Sequence, residues 1–354
     1  MNSMFNKNLK YYRLKKNLSK RELATLIDVS PMAITHYENG DRKPNMEIIK
    51  ALASALDVRV TDFLSRRNEQ LVFVHGEFRK NTKLSQSRQE LIRESVEEYM
   101  SRFFSAVDIL GGEVLPDAPK AHQLPLTGNI EADAAAMRRA LHIAETGPVG
   151  NLIELLENIG VLVYVCSDEK ENFFGMNGTV NGRPYVIVNG TMTPERIRST
   201  IAHELSHFVF AWDESMEEKE AETLATAISG AFLFPKADAI REMGIRRSAI
   251  TPDMKMICKE YGISMYLLTK RAEVCRIINS NAAKEFYIRA GQMGWKKNEP
   301  VRIMPEKATL FPQLVYRAVC EEEISVQRGA ELLQVPYEDV VKACFEEEAA
   351  DGVY

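Results

Sequence analysis

Residues 203–207 read His-Glu-Leu-Ser-His, and no other five positions constrain the chain so tightly. Two histidines four apart share one face of an α-helix, where both imidazoles can reach one metal ion, and the glutamate between them then stands beside that ion. The pattern therefore asks for a helix here and for a second element that supplies a third ligand. With six histidines in 354 residues, chance produces such a pentapeptide somewhere in the chain at on the order of one per cent, which favours a selected site. The flanks agree. Thr193-Pro194 is a natural N-cap and first-turn pair, and Ile197, Ile201, Leu205, Phe208 and Trp212 fall on one side of the helix it opens, with His203 and His207 opposite. The pair is thus outside the helix's apolar stripe, and the bland alternative is two solvent-facing histidines.

Catalytic zinc generally takes three protein ligands and leaves a fourth position to water. Downstream, Ser215 to Glu222 opens a second helix predicted to run to Pro235, on which Glu218, Glu222, Ala225 and Ser229 share a face and Glu220 points away. The small Ala225 and Ser229 let it approach the first helix closely. Ser215-x-x-Glu218 also has the form of a capping box, in which that carboxylate serves the backbone. Ten residues separate His207 from Glu218, a tight hairpin, so Glu218 and Glu222 both stand as third ligand.

A second kind of signal occupies the first 64 residues. Short helical segments follow one another closely, with Ser19 and Asn45 as N-caps and Pro31 where a first helical turn accepts proline. Gly40, Asp41 and Pro44 break the chain, after which Ile48, Ile49, Leu52, Ala53 and Leu56 repeat at helical spacing. Leu18 to Ala24 followed by Val29 to Gly40 has the form helix, tight turn, helix, and in such a motif the second helix enters the major groove of DNA. Charge supports this: residues 1–67 carry 13 Lys+Arg against 7 Asp+Glu, while the remainder accounts for −11 of the formal net charge of −5. A basic head on an acidic body suits a polyanionic partner.

Residues 8–64 resemble the XRE family of phage-repressor-like helix-turn-helix domains in the Leu-Ser-x-x-Glu-Leu-Ala opening, the Val-Ser turn and the Glu-Asn-Gly-x-x-x-Pro exit. The resemblance implies a five-helix lambda-repressor-like domain. It places Lys20 at a DNA-contacting position, turns Pro31, Met32 and Thr35 toward the groove, and gives Asn39 and Lys43 to phosphates. Pro31 has no N–H and Met32 no strong donor, so base readout through them is modest.

Roughly residues 130–280 resemble the ImmA/IrrE metallopeptidases. Residues 151–164 look like that family's helix leading into a strand, and Tyr185 to Asn189 like the strand before its active helix. Arg198 to His207 matches Arg-x-x-x-Ala-His-Glu-Leu-x-His, and Glu218-x-x-Ala221 with Phe232-Leu233-Phe234-Pro235 matches its Glu-x-x-Ala helix and stop. The resemblance implies a zincin-like domain with a small sheet, Zn2+ on His203, His207 and Glu218, Glu204 as general base, and Glu222 in a supporting position. Ser199 where a Phe is common and the short interval after His207 depart from the pattern.

The expected architecture is α+β and mostly helical. It comprises a DNA-binding domain over 1–66, a connecting strand, helix and linker over 67–129, a metallopeptidase domain over 130–280, and a helical region over 281–354. Within the connection, 71–74 reads as a strand, 86–110 as an amphipathic helix and 111–128 as a linker. Two C-terminal stretches, 253–275 and 313–345, have the form of a further helix-turn-helix or of plain helical hairpins that cover the protease or mediate dimerisation, and the second reading is favoured because neither is notably basic. The five scattered cysteines form no Cys-x-x-Cys pair and read as buried thiols. No stretch is long and apolar enough for a membrane span and no signal region is evident, which points to the cytoplasm. The function expected is a transcriptional regulator that binds double-stranded DNA and carries out limited zinc-dependent proteolysis of a helix-turn-helix repressor or of its own linker. The rival is a repressor or antitoxin whose protease-like domain is a non-catalytic sensor or partner-binding module.

Overall fold

The computed structural model describes residues 2–65, 67–68, 70–76, 84–166, 173–296 and 298–346. The chain divides into two compact units, one made of residues 1–71, 80–112 and 314–354 and the other of 72–79 and 113–313.

The first unit begins with α1 (Asn2–Lys15), α2 (Lys20–Leu26), α3 (Pro31–Asn39) and α4 (Met46–Leu56). Ser19 starts α2 with a capping box, its hydroxyl accepting from the Glu22 N–H at 3.1 Å while the Glu22 carboxylate accepts from the Ser19 N–H at 2.7 Å. Ser30 caps α3 with Pro31 as its first residue, and Gly40, at φ +80°, ends it in the left-handed region. Asn45 caps α4. Leu9, Leu23, Ile34, Leu52, Leu56 and Phe63 close a small core. The fifth helical element expected there is a 3₁₀ turn, Val60–Leu64. A buried ion pair locks the unit: the Arg13 guanidinium holds both oxygens of Glu38, with Nη2 to Oε2 at 3.0 Å, and donates to the Leu18 carbonyl at 2.8 Å. The long helix α5 (Gln86–Ile109) follows.

The second unit contains β1 (Phe73–His75), β2 (Leu124–Pro125), α6 (Ile130–Ala140), α7 (Leu152–Asn158), β3 (Leu162–Cys166), β4 (Gly175–Val180) and β5 (Arg183–Asn189). It continues through α8 (Pro194–Val209), β6 (Phe210–Ala211), α9 (Glu218–Leu233), α10 (Lys236–Met243), α11 (Lys255–Tyr261), α12 (Met265–Val274) and α13 (Ser280–Gln292). The sheet runs β1-β4-β5-β3, with β4 antiparallel to β1 and β5, and β3 parallel to β5. Strand β5 is buried from Pro184 to Asn189, as an inner strand requires. Ile201, Leu205 and Phe208 of α8 join Ile228 and Phe232 of α9 in the main core. The 111–128 stretch, expected as a plain linker, is in part tied to this unit. β2 pairs parallel with β6, and the His122 N–H donates to the Phe208 carbonyl at 2.8 Å. Its local sequence is turn-rich, and only the distant strand it meets makes it regular.

The chain continues through α14 (Leu310–Cys320), α15 (Val326–Leu333) and α16 (Tyr337–Phe345). The last two belong to the first unit, where Gln334 donates to Glu98 of α5 at 3.0 Å and Arg102 of α5 bonds the Leu332 carbonyl. The 313–345 hairpin is thus part of the unit that holds the head and α5, in place of the expected separate terminal region. Among the described residues no cysteine is in a disulfide, yet of the five only Cys258 is buried and Cys320 is exposed, which corrects the expectation of five buried thiols. Among the described residues no helix is long and apolar enough to cross a membrane.

Candidate functional site

Helix α8 presents the site. Thr193 precedes it in extended conformation and Pro194 is its first residue. Its position is fixed by Arg198, buried beneath it, which donates to the carbonyls of Gly150 and Val149 at 2.7 Å each and pairs with Glu306. Gly262, at φ +62°, lets the chain pass over this guanidinium, because a Cβ there would lie 2.6 Å from Nε. Arg198 is therefore a clamp on α8.

One turn further along, His203 and Glu204 are buried and His207 is half-buried, so the solvent-facing reading of the pair does not hold. Nε2 of His207 lies 3.2 Å from Nε2 of His203. Across from them the Glu222 carboxylate of α9 straddles both rings, with Oε1 3.2 Å from His207 Nε2 and Oε2 3.4 Å from His203 Nε2. Among the described residues these three form the group able to hold a metal ion. In a tetrahedral zinc site with bonds near 2.0–2.1 Å, neighbouring donor atoms stand about 3.3–3.4 Å apart. The two ring nitrogens, 3.2 Å apart, are near that spacing, and each has one oxygen of Glu222 at 3.2 or 3.4 Å, so the three side chains fit a zinc ion as ligands.

The carboxylate that stands with the two histidines is that of Glu222. Glu218, which the family resemblance selected, is the first residue of α9, one turn before Glu222, and is outside that group. The expected capping box is also not what starts the helix. Ser215 gives its N–H and hydroxyl to Asp213 at 2.8 and 2.7 Å, and Glu217 occupies the N-cap. With β6 and this turn filling the interval after His207, α9 comes level with the imidazoles only at its second turn.

Supporting contacts fix each ligand. The Thr226 hydroxyl donates to the Glu222 carbonyl at 2.8 Å and lies 3.3 Å from Nδ1 of His203. Its oxygen can therefore accept the Nδ1 proton and leave Nε2 as the bare donor. The Trp212 ring backs His207 at 5.1 Å and its indole N–H bonds the Ser206 carbonyl at 3.2 Å. Glu204 is held from the sheet, its Oε2 accepting from the Asn177 amide of β4 at 2.9 Å. Strand β4 comes that close because residue 175 is glycine, where a Cβ would lie 2.6 Å from Thr200 and 3.2 Å from Glu204. The backbone oxygen of Asn177 in turn accepts from the Gly76 N–H at 2.8 Å, just beyond β1. Neither Asn177 nor Thr226 carries a motif signal, since each acts through a contact that only the tertiary fold creates.

The other candidate surface is the second helix of the head. Pro31, Met32, Asn39 and Lys43 are exposed and Thr35 is half-buried, with its hydroxyl turned back to the Pro31 carbonyl at 3.2 Å. Lys20 begins α2 and its ammonium lies 3.6 Å from Glu38. Asn39 bonds Asp41 at 3.4 Å. All six residues lie on α2, α3 or the turn that follows α3.

The fold and the two sites define a helix-turn-helix domain joined to a domain of metallopeptidase type. Family models agree: residues 9–63 match a helix-turn-helix family and residues 156–273 match the IrrE N-terminal-like domain of a peptidase family, so the chain is a fusion of an XRE-type domain with an ImmA/IrrE-like domain. The chain is also similar to a protein of Enterococcus faecalis described as the HTH-type transcriptional activator BcrR. The two are 35% identical over 79 residues, a stretch covering 22% of this chain and 38% of that protein. No solved structure matches the chain significantly.

Proposed function

We propose that this chain is a DNA-binding transcriptional regulator whose second unit is a zinc-dependent endopeptidase, performing limited proteolysis of a helix-turn-helix repressor or of its own connecting segment. One observation carries the reading: the donor atoms of His203, His207 and Glu222 converge at 3.2–3.4 Å, with Glu204 on the same helix beside them. Zinc on these three residues would supply an acidified water and a Lewis-acid contact for a peptide carbonyl. Glu204 is the base that takes the proton released as water oxygen bonds to the carbonyl carbon, and it returns that proton to the leaving amine as the C–N bond breaks. Asn177 occupies one oxygen of Glu204 and so leaves the other to move the proton. Buried, His203 and Glu204 act where water does not compete for their hydrogen bonds. Binding to a double-stranded operator, with Lys20, Pro31, Met32, Thr35, Asn39 and Lys43 toward the DNA, is supported by the helix-turn-helix match and by the described role of the Enterococcus relative.

The test begins with metal content. Near-stoichiometric zinc is expected in the wild type and its loss in His203→Ala. Zinc-loaded protein, alone and with a candidate helix-turn-helix repressor, should then yield fragments that are absent with Glu204→Gln, a variant that keeps the metal. No zinc in the wild type after supply would remove the peptidase. Bound zinc with every chain left intact would favour a sensor or partner-binding role for the second unit.

A further inference from the structure

Cys320 ends α14 and Cys344 lies in the last turn of α16, 24 positions apart. Each thiol reaches across to the other's helix. Cys320 Sγ lies 4.0 Å from the Cys344 carbonyl oxygen, and Cys344 Sγ lies 3.9 Å from the Tyr316 carbonyl oxygen. Tyr316 stands one turn before Cys320, where helix geometry puts its oxygen beside the Cys320 N–H. Each sulfur therefore sits against the backbone of its counterpart. Cys320 is exposed and Cys344 half-buried, so the pair has one member open to solvent and one behind it.

We propose that Cys320 and Cys344 form a reversible intramolecular disulfide in response to a low-molecular-weight disulfide. The Cys320 thiolate attacks one sulfur of the small disulfide, breaking its S–S bond and expelling one small thiolate. The Cys344 thiolate then attacks the Cys320 sulfur of this mixed disulfide and expels the second. The protein's two thiols lose two electrons, the small disulfide becomes two thiols, and the two protein thiol protons end on those. Burial, and then the hydrogen bond to Cys320, push the Cys344 thiol up to about 11, so the closing step accelerates as pH rises through the neutral range. The bond encloses α15, whose last turns are held to α5 within the same unit. None of this depends on the peptidase.

The full chain, incubated natively with oxidised glutathione, quenched with acid, alkylated in denaturant and digested with trypsin, gives the test. Cys320 lies between Arg317 and Arg328 and Cys344 follows Lys342, so the two fall on separate peptides. The expected product is these two peptides joined and lighter by two hydrogens, returned to two alkylated peptides by a reductant, with Cys166, Cys258 and Cys275 alkylated throughout. Cys344→Ser should stop at glutathione on Cys320, and Cys320→Ser should leave Cys344 alkylated. Glutathione retained on Cys320 of the wild type, a link between two chains, or alkylation of both thiols would overturn the proposal.

Discussion

Thr226 touches the site through another residue, and its contribution can be isolated. Its hydroxyl, committed as donor to the Glu222 carbonyl, presents its oxygen to Nδ1 of His203. Replacement by valine keeps the shape and removes that acceptor, freeing the ring to rotate or to carry its proton on Nε2. Thr226→Val is expected to weaken zinc binding roughly 10–100-fold in a chelator competition titration, with the fold unchanged by circular dichroism. Unaltered affinity would show that the hydroxyl serves only α9. At this scale the two histidines and Glu204 were legible because their relation is local, fixed by the pitch of one helix. The carboxylate that stands with them was not. Glu218 and Glu222 share a face, and the choice between them turned on how much chain β6 and the Asp213 turn take up before α9 begins, which no spacing rule states.

Among elements, those with strong local punctuation formed as expected. Examples are α2 between Ser19 and its Glu22 partner, α3 between Pro31 and Gly40, and α8 after Pro194. Elements made by distant partners did not announce themselves: β2 exists through β6, and the segment after α13 is held by bonds to α12 and α8. In that segment the Glu299 carboxylate accepts from the Met265 N–H at 3.1 Å at the start of α12, and Glu195 of α8 accepts from the Ile303 N–H at 3.3 Å. Burial, against the pull of the Met265 bond and with the charge of Glu195 nearby, raises Glu299 to about 7. The unfolded chain would release that proton near the ordinary value of 4.5. Between these values the folded state binds more protons than the unfolded one, so stability falls as pH rises through that window and levels off above it. Glu299→Gln keeps an acceptor for Met265 without a charge. Thermal midpoints from pH 5 to 8 should therefore decline less in the variant, which should be the more stable protein at pH 8. Parallel curves would mean that Glu299 is charged in the fold at no cost.

For the whole molecule, the decisive feature is that the two units close separate cores, one around Leu23, Ile34 and Leu52 and one around Leu205, Ile228 and Phe232, although the chain passes between the units more than once. A ligand that binds only the folded second unit should stabilise that unit by mass action, by about 2.7 kcal/mol at a hundredfold excess over Kd. Zinc on His203, His207 and Glu222 would bridge α8 and α9, so it should slow amide exchange in those helices about 100-fold where exchange requires the unit to open. The amides of α2 and α3, whose core shares no residue with the site, should exchange at the same rate with and without metal. Hydrogen exchange read by mass spectrometry on the full chain compares both units in one sample, with His203→Ala as the control in which neither responds. Equal slowing in the head would mean that the units open together despite their separate cores. Metal occupancy in one would then be felt by α3 of the other, and the fusion would act as a single cooperative switch.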